Sequence, residues 1–187
     1  MFATFIDKLS RGAKLLPSCK PFVRCRKAST VVEFALVAAP FLALIVALFQ
    51  SALVFFAQRV LDEVVSESSR VIMTGQAQTT NMTASQFATW VCNNTFALFN
   101  CGSFMINVQN YDSFASASTT MPTLTYNSSG AVTNNWSYNT GSPGDIVIVQ
   151  IMYQWPVVLG PLGFTLSNLS NGNRLLMATA AFKNEPY

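Results

Sequence analysis

The chain has 187 residues, of which 51% are apolar and only 10% charged, enough for one modest domain plus a membrane segment. Its formal charge of +3 sits at one end. Seven of the eleven basic residues (Lys8, Arg11, Lys14, Lys20, Arg24, Arg26, Lys27) precede residue 28, opposed only by Asp7, and from Ser29 onward four basic against seven acidic residues leave −3. A nucleic-acid-binding face, which needs basic residues spread over a folded surface with aromatics between them, is thereby excluded. Histidine is absent, which removes the commonest general base, and no Gly-rich phosphate loop or nucleophile elbow occurs. The expectation is a protein with no catalytic residues, no cofactor, no metal, no nucleic-acid partner and no small-molecule substrate.

The basic leader, residues 1–28, reads as a topology signal. Residues 34–57 follow as an apolar run broken only by Gln50 and Ser51, long enough for the roughly 20 residues that cross a bilayer. Basic residues before it and Asp62, Glu63 and Glu67 after it put the N-terminus in the cytoplasm and the rest outside. The run is too long for the apolar core of a secretory signal peptide, and no A-x-A cleavage site follows it. Pro40 is expected to kink the helix, which membrane helices tolerate. Ala35, Ala39 and Ala43 recur every four residues and offer a close-approach face to another helix. Beyond the span, Val60, Leu61, Val64, Val65, Ser68, Val71 and Ile72 share one face, and Arg59, Asp62, Glu63, Glu67 and Arg70 the other. The spacing predicts one helix over about residues 29–73, roughly 65 Å long. Gly75 is the expected stop.

Residues 75–187 are expected to form a small α+β domain. A short helix over 85–99, capped by Thr83 or Ser85, would turn Phe87, Trp90, Val91 and Leu98 inward. Cys92 and Cys101, nine positions apart in an oxidising compartment, are expected to form a disulfide worth roughly 2–3 kcal/mol. Cys19 and Cys25, in the leader, are expected to be reduced. Strands are predicted over 104–110, over 145–155 after a Ser142-Pro143-Gly144-Asp145 turn, and over 174–183 after the Asn171-Gly172 turn. They are expected to pair as an antiparallel sheet joined by long loops. Residues 156–161 read as a loop or broken helix, apolar enough to dock near the membrane. The Ser/Thr/Asn-rich interval 113–140 reads as a surface loop with a short strand over 123–126, in which Trp136 and Tyr138 serve as anchors. Asn-x-Ser/Thr sequons at Asn81, Asn93, Asn127, Asn135 and Asn168 are read as a product of composition.

Glu33 stands at the mouth of the apolar run, where a carboxylate must stay wet or be paired. The residues around it give a second reading. Lys27-Ala28-Ser29-Thr30-Val31-Val32-Glu33-Phe34 resembles a type IV prepilin processing site, with the scissile bond at Ala28–Ser29 and Ala28 standing where such sites usually carry Gly. The new cationic α-amino group of Ser29, with a reference pKa near 8, would then be neutralised by Glu33 one helical turn on or in a neighbouring subunit. Val32-Glu33-Phe34-Ala35-Leu36 with Ala39-Pro40 resembles the signature of TadE-like pseudopilins of the Tad (Flp) pilus machinery. Residues 70–76 resemble the end of that family's long helix, and residues 183–187 an ending common in it. The resemblance implies a minor pseudopilin of the bacterial inner membrane with its C-terminal domain periplasmic. Its implied partners are a prepilin peptidase and other pilus subunits, and its implied processing site is Ala28, Ser29, Glu33 and Phe34. The alternative is a single-pass anchored binding or sensor protein that keeps its leader.

Overall fold

The computed structural model describes residues 26–95, 98–158 and 163–187, with side chains from residue 30 onward. The expectations for leader residues 1–25, including Cys19 and Cys25, for 96–97 of the predicted short helix and for 159–161 of the apolar loop lie outside the described residues. Helix α1 runs from Arg26 to Met73 and continues through Pro40. Its described part already includes Arg26, Lys27 and Ala28, ahead of the predicted residue 29, and all three are good helix formers. The chain divides into two compact units, with the boundary between Leu44 and Ile45.

In the first unit the large apolar side chains of α1 are exposed all round, among them Val31, Phe34, Leu36, Val37, Phe41 and Leu42. In the second unit α1 acquires a buried stripe: Val54, Ala57, Val60, Leu61, Val64, Val65, Ser68 and Ile72. Their i, i+3, i+4 spacing is the helical period, so one face of the helix can enter a core while Arg59, Glu63, Glu67 and Arg70 stay exposed. Each large side chain fully buried in this way contributes roughly 1.5–3 kcal/mol.

After α1 come a one-turn helix, α2 (Gln76–Thr79), and α3 (Ala84–Asn93). Thr83 caps α3 with a complete capping box, its side chain accepting from the Gln86 N–H and its own N–H donating to Gln86 Oε1 at 2.8 Å. Phe87 and Val91 are buried and Trp90 packs beside them, as the pattern predicts. The helix stops at Asn93, short of the predicted 99. The Asn94 amide turns back to the Trp90 carbonyl at 2.8 Å and the Thr95 hydroxyl to the Cys92 carbonyl at 2.7 Å, closing the last turn locally. Consequently Leu98 is exposed and its neighbour Phe99 is buried instead.

Three antiparallel strands, β1 (Phe104–Tyr111), β2 (Ile146–Trp155) and β3 (Arg174–Lys183), form a sheet in the order β1-β2-β3. The register pairs Val108 with Val149 and Val149 with Ala180. A turn with Pro143 and Gly144 (φ 88°) at its centre leads into β2, closed by the Asp145 N–H to the Ser142 carbonyl at 3.1 Å.

Residues 146–153 of β2 are all buried, which explains their nearly unbroken apolar run: both faces of the sheet are covered. On one face Val147, Val149 and Ile151 join Val108, Leu176 and Ala178, the α1 stripe, and Phe87 and Val91 of α3. On the other, Met105, Met152 and Leu175 are covered by Leu124, Val132, Trp136 and Leu169. The Ser/Thr/Asn-rich interval is therefore the cover of the second face as well as a surface loop. Its predicted strand reduces to one bridge between Tyr126 and Val132. Trp136 and Tyr138 both anchor it, Trp136 on the second face and Tyr138 against Phe87, with ring centroids 5.4 Å apart.

The sheet edges are capped in part. Beside β1, the Val108 N–H donates to the Ser137 carbonyl and the Asn139 N–H to the Val108 carbonyl. Beside β3, Gln58 of α1 donates to the Met177 carbonyl at 3.0 Å, and the Leu175 N–H donates to Asn168 Oδ1 at 2.7 Å. Such contacts limit strand addition from another chain.

Candidate functional site

The residues singled out for processing lie at the start of α1. Ala28 and Ser29 have helical backbone, and Glu33 and Phe34 follow as exposed positions one turn on. Ser29 and Glu33 are four residues apart and so share a helical face. From Thr30 the helix is long and apolar enough to cross a membrane. The two polar residues inside its apolar run use their donors in different ways, and the Gln50 Oε1 is buried without a partner among the described residues. Ser51 donates back to the Ala47 carbonyl at 2.9 Å, the usual accommodation of a hydroxyl in an apolar helix. Gln50 donates to the Val158 carbonyl at 2.8 Å, across 108 residues of sequence.

At the other end of α1, Gly75 takes φ +75° and its N–H reaches the Ile72 carbonyl at 3.0 Å. This is the left-handed stop that the glycine predicts. The C-terminal tail adds a lock with no sequence signal of its own. The Glu185 N–H donates to the Met73 carbonyl at 2.9 Å, filling one of the acceptors that a helix end leaves open. Buried Asn184 donates its amide to the Thr140 and Ser142 carbonyls, and the Tyr187 ring lies over Gly75, where a β-carbon would collide with it.

Cys92 and Cys101 are joined in a disulfide, with Cα atoms 5.4 Å apart. It ties the end of α3 to the start of β1 beside an aromatic cluster. Within that cluster Phe99 meets Tyr153 edge-on at 5.0 Å and Trp155 at 5.9 Å, and the Asn100 N–H donates to the Tyr153 hydroxyl. Tyr138 has its pKa pushed up to about 12 by burial. Among the described residues no group of three or more His, Cys, Asp or Glu comes together. A cavity of about 460 Å³ lined by Met105, Val132, Trp136, Gln154 and Asn173 among others has no ionisable side chain. The feature most prominent in this geometry is therefore a surface: the apolar, all-round exposure of the first part of α1, before Val54.

Fold and helix together define a class, an α+β domain carried on one helix of membrane-spanning length and composition. Residues 28–70 match the family model described as TadE-like protein, so the chain carries the TadE-like helical segment that its residues around Glu33 resemble. The match covers the helix and none of the sheet. It supports a component associated with the Tad pilus, and the family is one of structural pilus components rather than enzymes. No curated protein and no solved structure matches the chain.

Proposed function

We propose that this chain is a minor pseudopilin of a Tad-type pilus, held in the bacterial inner membrane by α1 with its sheet domain in the periplasm. A prepilin peptidase cuts it between Ala28 and Ser29. The observation that carries this reading is the family match, which begins at Ala28 and runs through Glu33 to the end of the amphipathic half of α1. Cleavage converts Ser29 into a cationic terminus one turn from Glu33, and in a low-dielectric setting that charge requires a partner. The carboxylate supplies it within the subunit or to a neighbour during assembly. The exposed faces of α1 then pack laterally against other pilin helices, where the small side chains of Ala35, Ala39 and Ala43 permit close approach. The basic leader sets the orientation and is discarded.

Intact-mass analysis of membrane-extracted protein tests the processing step. The expected product begins at Ser29, Ala28→Phe retains the leader, and Glu33→Ala is still cut but no longer co-purifies with pilus fibres. A wild-type chain that keeps Met1 overturns the proposal. One observation favours the second reading, an anchored binding or sensor protein that is never cut. The Ala28–Ser29 bond lies within helical backbone, which must unwind before a protease can act on it. That reading predicts an intact leader and an innocuous Glu33→Ala.

A further inference from the structure

Strand β2 ends at Trp155, and the segment that follows it, Pro156, Val157 and Val158, is fastened to α1 inside the helix's apolar run. Gln50 donates its side-chain amide to the Val158 carbonyl at 2.8 Å. Gln50 lies seven residues before Ala57, the last residue of the run, so the contact sits roughly 10 Å along the helix from the run's end. The helix positions on either side of it, Leu48, Phe49 and Leu53, are exposed, and Val158 itself is 72% exposed. An apolar residue pinned beside an apolar, exposed stretch of a membrane-length helix shares that helix's surroundings.

We infer that the segment after β2, residues 156–158, is a second membrane-contacting element, seating Val158 at the boundary between headgroups and acyl chains of the leaflet on the domain's side. The occupant of this surface is lipid, because the patch is continuous with the span. Three further observations agree. The Val158 carbonyl would be an unpaired polar group at that depth, and irregular backbone survives there only when its polar atoms are satisfied. Gln50 satisfies it, which gives a physical reason for a glutamine in an otherwise apolar helix. Trp155 is half-buried at the end of β2 beside this segment, and indole rings are enriched at membrane surfaces. The domain's core on α1 begins only at Val54, so the three residues between Gln50 and that core are available to the interface. The apolar span of the helix is then shorter than residues 34–57 and ends near Phe49, with the domain partly sunk into the surface. Amphipathic elements at this boundary typically bury about 5–10 Å.

The inference rests on membrane anchorage through α1 and is independent of leader processing. The test is spin-label depth measurement on the full chain in vesicles of phosphatidylethanolamine and phosphatidylglycerol. Single labels are placed by Val158→Cys, Val37→Cys and Ser129→Cys in a Cys19→Ser, Cys25→Ser background that keeps the Cys92–Cys101 disulfide. Val37 reports the span and exposed Ser129 reports water. The expected result is a Val158 label accessible to oxygen and several-fold less accessible to a water-soluble nickel chelate than the label at 129. Nickel access at 158 equal to that at 129, with Val37 still in lipid, overturns the inference alone. Shielding of 158 from both reagents overturns it too, by showing a protein cover. Nickel access at 37 removes the anchorage and the inference with it.

Discussion

The two halves of α1 share one helical backbone, yet have opposite fates. Before Leu44 the large side chains Phe34, Val37, Phe41 and Leu42 all face outward. From Val60 on, apolar side chains on one face are sealed and charged ones occupy the other. Composition sets the first half apart, since a helix apolar on every face has no polar side to give to water and demands lipid or other helices. Periodicity sets the second half apart, since a stripe demands a sheet. One continuous helix thus couples an element that belongs to a membrane or a helix bundle to an element that belongs to a folded domain.

The sharpest way to break this comparison is to make one change in both halves. Leu61 is fully buried against the sheet and Leu42 is 59% exposed. Leu61→Ala should cost the domain about 2–5 kcal/mol, the range for a leucine removed from a packed core. Leu42→Ala should leave domain unfolding in detergent unchanged. Thermal or denaturant melts followed by near-ultraviolet circular dichroism give both values. Equal losses would mean that the halves are not distinct environments. The disulfide sets a scale away from either half. Replacing Cys92 and Cys101 together by Ser should cost roughly 2–3 kcal/mol through the unfolded chain's regained freedom. It should alter neither the span nor the Leu61 effect, because the bridge ties α3 to β1.

Much of this was readable in advance, and the exceptions share a cause. The α1 stripe from Val60 to Ile72, the Gly75 stop and the three strands are local patterns, carried by periodicity and by turn residues close in sequence. The cover of the sheet's second face was not legible as such. Leu124, Val132 and Trp136 are separate apolar residues in a polar stretch and make no period. The Gln50–Val158 bond joins residues 108 apart, so no window on the sequence contains it. The same holds for the tail, where the Glu185 N–H finds Met73. For the candidate processing site the reverse applies. Its residues are conspicuous in the sequence, whereas the structure adds only that Glu33 and Phe34 are exposed on a helix already formed at Arg26.

The tail lock offers a finer test of where the packed half of α1 ends. Gly75→Ala puts a β-carbon on a left-handed residue, at about 1–2 kcal/mol, and drives it into the Tyr187 ring. Adding Tyr187→Ala should recover the part due to the collision and leave the backbone part. If Gly75→Ala alone is neutral in the same melts, the tail does not hold the helix end, and the packed half stops before Met73.

The smallest effect concerns Tyr138, which has no counterpart in the exposed half. Its hydroxyl oxygen is buried without a hydrogen-bond partner among the described residues, in a ring pair with Phe87. Tyrosine ionises near 10 in an unfolded chain, and burial pushes Tyr138 up to about 12 in the fold. The folded chain therefore holds this proton more tightly than the unfolded one. Its contribution to stability is complete below pH 10 and is lost as pH rises from 10 towards 12. Tyr138→Phe removes the titrating group and the unpaired oxygen together. At pH 7 the variant should match or slightly exceed the parent, because a buried hydroxyl without a partner adds nothing that the ring does not. At pH 11 it should be the more stable of the two, the gap opening above pH 10. Parallel melts at the two pH values decide the matter, since an identical alkaline loss in the variant would place the Tyr138 hydroxyl in contact with water and leave the α3–sheet seam open at that point.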